Sequence, residues 1–282
     1  MVDHVDWDTV EFEFRQNGFL APSSSAFRDY LRSAMADWLD LAERINRLGQ
    51  RMYIECSDHL PGRRLTDPTA LGIQMIARCL SGYQGALLLA ERGLGVEAQA
   101  LVRSVFETAF WMGYISSGSN EAISQLRRET LTSEIGLFEA ALEHLGSMAD
   151  TTKSEVVRQL ATMKSDKQML PTPPKMEELA KAAGYAPSYF FYKELSGAAT
   201  HLSMKSIHTF LQHDDHGEVV GHQVGPDEEG AGKAVWLGCR GMVLAMDALA
   251  RLPECSSYQD ELAALNDELV QLEPHNLRAT TG

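Results

Sequence analysis

The sequence predicts an all-α protein: a multi-helix bundle around a central antiparallel helical hairpin, with one short β-hairpin excursion. Three observations carry this. Two stretches near the middle of the chain are apolar on almost every side, and helices of that kind belong in the centre of a fold. Most of the rest repeats its apolar residues at i, i+3, i+4 and i+7 with charge between them, the mark of helices with one buried face. Strand character is confined to "HDDHGEVVGHQVGP", where valine-bearing arms flank a Gly217 turn.

The elements follow in order. Residues 1–22 read as an irregular N-terminal arm with apolar anchors at Trp7, Phe12, Phe14 and Phe19. A single all-α domain is expected over 23–272 and a flexible tail over 273–282. The serines of "APSSSAF" cap a long helix whose apolar stripe runs from Phe27 through Tyr30, Leu31, Met35, Trp38, Leu41, Ile45 and Leu48 to Met52. "TDPTAL" opens the first central helix, about 68–92, with Asp67 as cap and Pro68 at the first helical position. "RGLG" is the turn into the second, about 95–116. Residues 120–165 read as amphipathic helix, interrupted near "GSMADTT". "MLPTPPKM" leads to a short helix opened by Pro174 and ended by Gly184. A helix over Tyr189–Leu211 packs on the central pair. Asp227 then caps the apolar "GKAVWLGCRGMVLAMDALARL", and a last helix carries Tyr258, Leu262, Leu265, Leu269 and Leu272.

Composition narrows the function classes. The formal net charge of −14 opposes non-specific nucleic-acid binding, which rests on neutralising phosphates with Lys and Arg. The paired arginines of "LPGRRL" and "QLRRET" read as solvated surface. No apolar run approaches the roughly 20 residues of a membrane span, so no membrane partner is expected. "MVDHVDWDTVEFEF" has neither the basic nor the apolar region of a signal peptide. The four cysteines are scattered without a C-x-x-C pair. Neither a disulfide framework nor a zinc cluster is expected, and the cytoplasm is the expected compartment.

Two groups of residues draw attention. Arg103 and Glu107 stand four apart on the second central helix, a helix with little polar surface to offer. Charged side chains on such a helix are paired when buried. They form either a structural ion bridge that fixes register or half of a polar site. The second group lies in "YKELSGAATHLSMKSIHTF". On a helix, Glu194, Gly197, Ala198, His201, Lys205 and His208 share a face. The imidazole of His201 leans back over the notch left by Gly197 and Ala198, so a close helix crossing with His201 projecting into it is expected there. Arg103, Glu107, Tyr192, Ser196 and His201 are the candidate polar cluster. They are expected to converge, because a Ser/Thr/His face supplies the hydrogen bonds that a buried Arg–Glu pair needs.

Other chemistry is weakly signalled. "HDDHGEVVGH" gathers metal-binding residue types, but a polar turn has the same composition, and no metal or cofactor is expected. The nucleotide and nucleophile-elbow glycine motifs are missing, and Ser196 with His201 lacks a third triad member.

The run "ALLLAERGLGVEAQALVRSVFETAFWMGYI", the later "YKELSGAATH" and the following "HTFLQHDDHGEVVGHQVGP" resemble a bacterial helical family known only as a domain of unknown function, number 5677. Its pattern pairs Arg-Ser-x-x-Glu on one helix with a later Tyr-x-x-Leu-Ser-Gly and a following His. Here those positions are Arg103, Ser104, Glu107, Tyr192, Leu195, Ser196, Gly197 and His201. The resemblance spans about residues 70–250 and implies an all-α fold with the same cluster. It implies no activity. A more distant similarity is to the HEPN superfamily of helical ribonucleases, whose R-x4–6-H motif does not occur here. The leading expectation is a cytoplasmic binding or interaction module acting on an unidentified small ligand or protein partner. A homodimer is expected, built on the leucine stripe of the last helix. The alternative is a hydrolase, a HEPN-like ribonuclease of stress or phage defence, with His201 as acid/base and Arg103 holding phosphate.

Overall fold

The computed structural model describes residues 7–144, 150–197, 206–207, 210–222 and 225–273. Asp67 starts the first central helix as its sequence directs: the carboxylate accepts from the backbone N–H groups of Thr69 and Ala70, with Pro68 at the first helical position, and α4 runs Pro68–Ala90. For the elements before it, the labels are α1 (Trp7–Asn17), α2 (Ser24–Ala34) and α3 (Ala36–Ser57). Gly93, at φ +79°, makes the turn into α5 (Gly95–Ser116). Then come α6 (Ala122–His144), α7 (Asp150–Gln168), α8 (Met176–Ala182) and α9 (Tyr189–Leu195). The antiparallel strands β1 (Leu211–His213) and β2 (Val219–His222) form the hairpin, with Leu211 opposite His222 and Gly217 at φ +81° in the turn. α10 (Glu228–Ala250) is capped by Asp227, which accepts from Gly230 N–H at 2.8 Å, and α11 (Gln259–Leu272) ends the described chain. The all-α class with a short β excursion stands.

The expected central hairpin of α4 and α5 is present, and α10 joins it as a third central helix. α5 packs most extensively on α10, and then on α4. Glycines permit the approach. A Cβ at Gly241 would sit 3.2 Å from Val105, and one at Gly238 would sit 3.3 Å from Tyr83. Tyr83 is fully buried and its hydroxyl donates to the Ala42 carbonyl at 3.0 Å. Another close contact holds the segment that follows α8 to α5, where a Cβ on Gly113 would meet Tyr185 at 2.6 Å and Ala183 at 2.7 Å.

Several expectations are corrected. The N-terminal arm over 1–22 is helical from Trp7, and Val10, Phe14 and Ala21 form a small buried cluster. Phe12, by contrast, is exposed. The long helix after "APSSSAF" breaks at Met35, whose backbone leaves helical geometry at ψ 32°. The short helix opens at Met176 rather than Pro174, where the Glu178 carboxylate accepts from Lys175 N–H. Leu211 is the first strand residue, not a helix end; the helix described from Tyr189 ends at Leu195, and 198–205 lie outside the described residues. The tail expected over 273–282 lies outside them from Pro274 onward.

The "solvated" arginines divide. Arg63 pairs with Asp67 and Glu254, and Arg128 donates to the carbonyls of Lys167 and Leu170, so each ties two segments together. Cys56 and Cys255, 199 positions apart, face one another with Cα atoms 5.8 Å apart, within the span of a disulfide. The leucine stripe of α11 is buried against its own domain at Leu262, Leu265 and Leu269. The expected dimer loses that support. No helix among the described residues is long and apolar enough to cross a membrane.

Candidate functional site

Arg103 and Glu107 share one face of α5, and α9 lies over it. α9 is aromatic through its first turn. Tyr192 meets Phe110 of α5 edge-on, ring centroids 5.9 Å apart, while Phe191 meets Trp236 of α10 edge-on at 5.4 Å. Leu195, one turn on, is fully buried. These apolar contacts seat the helix. They leave Tyr192 and Ser196, spaced i and i+4, in reach of α5.

Arg103 fills that reach. Its Nε donates to the Ser196 hydroxyl at 3.0 Å, and its Nη2 donates to the Tyr192 hydroxyl at 2.9 Å. Its Nη1 pairs with Glu107 Oε2 at 3.0 Å. The guanidinium carbon also sits 5.0 Å from the Tyr192 ring centroid, a cation–π contact. The Ser196 hydroxyl in turn donates a hydrogen bond to the Tyr192 carbonyl at 2.8 Å. The planar fork of arginine holds such a set in fixed directions, which a lysine cannot do.

Exposure is uneven across the cluster. The Arg103 side chain is 19% exposed and that of Glu107 is 38%. The ion pair is therefore screened and contributes a surface-like amount, about 0.3–0.5 kcal/mol. The bonds from the charged guanidinium to the two hydroxyls lie deeper and contribute more. At Ser196 and Gly197 the backbone widens into a π turn, a feature frequent at functional sites.

Of the predicted cluster, Arg103, Glu107, Tyr192 and Ser196 are therefore brought together, and His201 lies outside the described residues. The tight crossing expected at Gly197 is corrected. Gly197 is exposed, and a Cβ there would meet no described atom within 4 Å. The close approaches lie at Gly113, Gly238 and Gly241, where a glycine faces a bulky side chain of a neighbouring element. Among the described residues, no group of His, Cys, Asp and Glu is placed to hold a metal ion.

The sequence reading missed the other side of α9. Glu194 stands about 200° around the helix from Tyr192. It forms an ion pair with Lys233 of α10. Beyond this pair lies a cleft of about 640 Å³ lined by Met35, Trp38, Glu194, Glu228, Glu229, Gly232, Lys233 and Trp236. The available signal was on α10: Glu229, Gly232, Lys233 and Trp236 recur at i, i+3, i+4 and i+7, placing two charges, a gap and an indole on one face of a mostly apolar helix. At its edge Glu228 accepts from the Tyr30 hydroxyl at 3.1 Å, and that carboxylate pushes the phenol's pKa up.

No curated protein and no solved structure matches the chain. Residues 69–219 match the model of the family of unknown function DUF5677, a span that holds both α5 and α9 and stops short of the 70–250 expected from the motifs. With more than half of its 282 residues in that match, the chain belongs to this family of unknown function, DUF5677.

Proposed function

We propose that the chain is a binding module whose recognition surface is organised around α9, with the Arg103–Glu107–Tyr192–Ser196 cluster as its polar centre. One observation carries this. Arg103 holds three partners, Glu107 on its own helix, Tyr192 on α9 and Ser196 at the C-terminal cap of α9, while Glu107 contributes a carboxylate that is more than a third exposed. Arg103 acts as the fixed post and Glu107 as the group that meets a ligand. A hydrolase would need Arg103 to hold phosphate. In this arrangement three of its five N–H donors, one on each nitrogen, already hold protein partners, so the fork is turned to α9 and Glu107 rather than to a phosphate, which favours binding over that chemistry.

The test is a thermal-shift screen of defined metabolites, including cations, anions, sugars and nucleotides, on the wild type and on Glu107→Gln. Gln keeps the size of the side chain and a carbonyl acceptor for Arg103, so the variant should melt near the wild type. A compound that stabilises the wild type and not the variant supports the proposal. If every stabilising compound is indifferent to the substitution, the cluster is structural and the proposal fails.

A further inference from the structure

The second inference concerns a different surface from the cluster, lined by residues other than Arg103 and its side-chain partners. We infer that the cleft between the α2–α3 corner and α10 is a binding site for a small organic cation with an apolar body, such as an aryl-alkyl amine. The break at Met35 creates the site. It turns the chain so that Met35 and Trp38 stand across from the α10 face of Glu229, Gly232, Lys233 and Trp236. Gly232 keeps the floor low: a Cβ there would touch only the Met35 side chain, at 3.4 Å from Cε and 3.6 Å from Sδ. The resulting volume of about 640 Å³ suits a small molecule.

Charge and ring chemistry choose the occupant. Three carboxylates, Glu194, Glu228 and Glu229, line the cleft against one ammonium, Lys233, which is committed to Glu194. Glu229 has no ion-pair partner among the described residues. The net balance repels anions and favours a cation. Trp38 and Trp236 bring indole surface to the same space, and indole is the preferred aromatic partner of an organic cation. An ammonium group facing the carboxylates with its apolar body on Trp38 and Met35 satisfies both features at once.

The test uses three probes of similar shape, phenethylammonium, 2-phenylethanol and 3-phenylpropionate, titrated into the full chain by calorimetry. The indole N–H resonances of Trp38 and Trp236 are followed by NMR in parallel. Phenethylammonium is expected to bind saturably and shift both indole signals. It should bind roughly tenfold tighter than the alcohol, with the carboxylate weakest. Glu229→Gln should weaken it about threefold, and added salt should do the same. Gly232→Met should abolish binding by filling the floor; it replaces a helical glycine with a good helix former, and a cooperative melt of the variant checks that it folds with Met35 moved aside. Equal binding of the alcohol and the cation, full binding by Gly232→Met, or no saturable binding of the cation to the wild type would each overturn the assignment.

Discussion

Replacing Arg103 by leucine tests whether the cluster fastens α9. The variant keeps an apolar stem in place and deletes the fork. Lost are two hydrogen bonds from a charged donor, to Ser196 and Tyr192, together with a cation–π contact and a half-exposed ion pair. Bonds to charged groups contribute about 1.5–3 kcal/mol each, but partial exposure and the internal bond retained by Ser196 pull their sum down. The cation–π contact adds about 0.5–1 kcal/mol and the screened pair about 0.3–0.5 kcal/mol. A net loss of about 2–4 kcal/mol is expected. At roughly 2–4 °C per kcal/mol for a chain of this size, calorimetry should record a fall in Tm of about 4–16 °C. Arg103→Lys keeps the charge for Glu107 but not the fork, so it should recover less than half of the loss. Tyr192→Phe alone should cost about 1 kcal/mol, and the double variant should be less than additive, because both remove the same bond. A Tm for Arg103→Leu within a degree of the wild type would refute the idea that Arg103 holds α9, and so would full rescue by lysine.

Three further outcomes are expected. Gly113→Ala should cost about 1–3 kcal/mol by forcing a Cβ into Tyr185 and Ala183, whereas Gly197→Ala should leave urea stability unchanged or slightly raised, and the reverse order would contradict the packing described. Burial pushes the thiols of Cys79 and Cys239 up to about 12; because the folded state holds these protons more tightly, stability is full below the ordinary thiol value near 9 and is lost from there toward pH 12, by about 1.4 kcal/mol per thiol per pH unit, so urea midpoints that stay flat between pH 9 and 11 would argue against it. Native alkylation should spare Cys79 and Cys239, and mild oxidation should join Cys56 to Cys255, read as a two-dalton mass decrease and one crosslinked peptide pair by mass spectrometry; modification of Cys79 before unfolding would count against the burial.

What the sequence made legible was local. Asp67 and Asp227 announce helix starts because a carboxylate before an apolar run satisfies N–H groups that have no partner in the first turn. Gly217 announces the hairpin turn because its φ of +81° suits a residue without a side chain. The break at Met35 was illegible, since the apolar stripe from Phe27 to Met52 continues across it and no Gly or Pro marks the spot. The centrality of α10 was equally hidden. Its glycines look like interruptions until Val105, Phe106 and Tyr83 are seen to fill the spaces they leave. The Cys56–Cys255 contact is set by tertiary packing and carries no spacing signal at all.

The misplacement of the glycine notch shows what the motif around α9 does. Read on a helical wheel, the small residues after Leu195 suggest a crossing, with Arg103 as its counterpart. In the fold, Tyr192 and Ser196 are Arg103's partners and Leu195 is core, so the run from Tyr192 to Ser196 is accounted for before the small residues begin. Glu194, between them, turns the other way to Lys233. α9 is thus anchored by ion and hydrogen bonds on two sides, to α5 through Arg103 and to α10 through Lys233, and by aromatic edges on both. A seven-residue helix has too few internal hydrogen bonds to persist without such anchors. Its anchors decide where Glu194 stands at the cleft and where Glu107 remains open. A change at either anchor should therefore be felt at both surfaces, and Lys233→Met provides the check: it should lower Tm and also alter cation binding in the cleft, whereas an effect on binding with no change in Tm would show that Lys233 does not anchor α9.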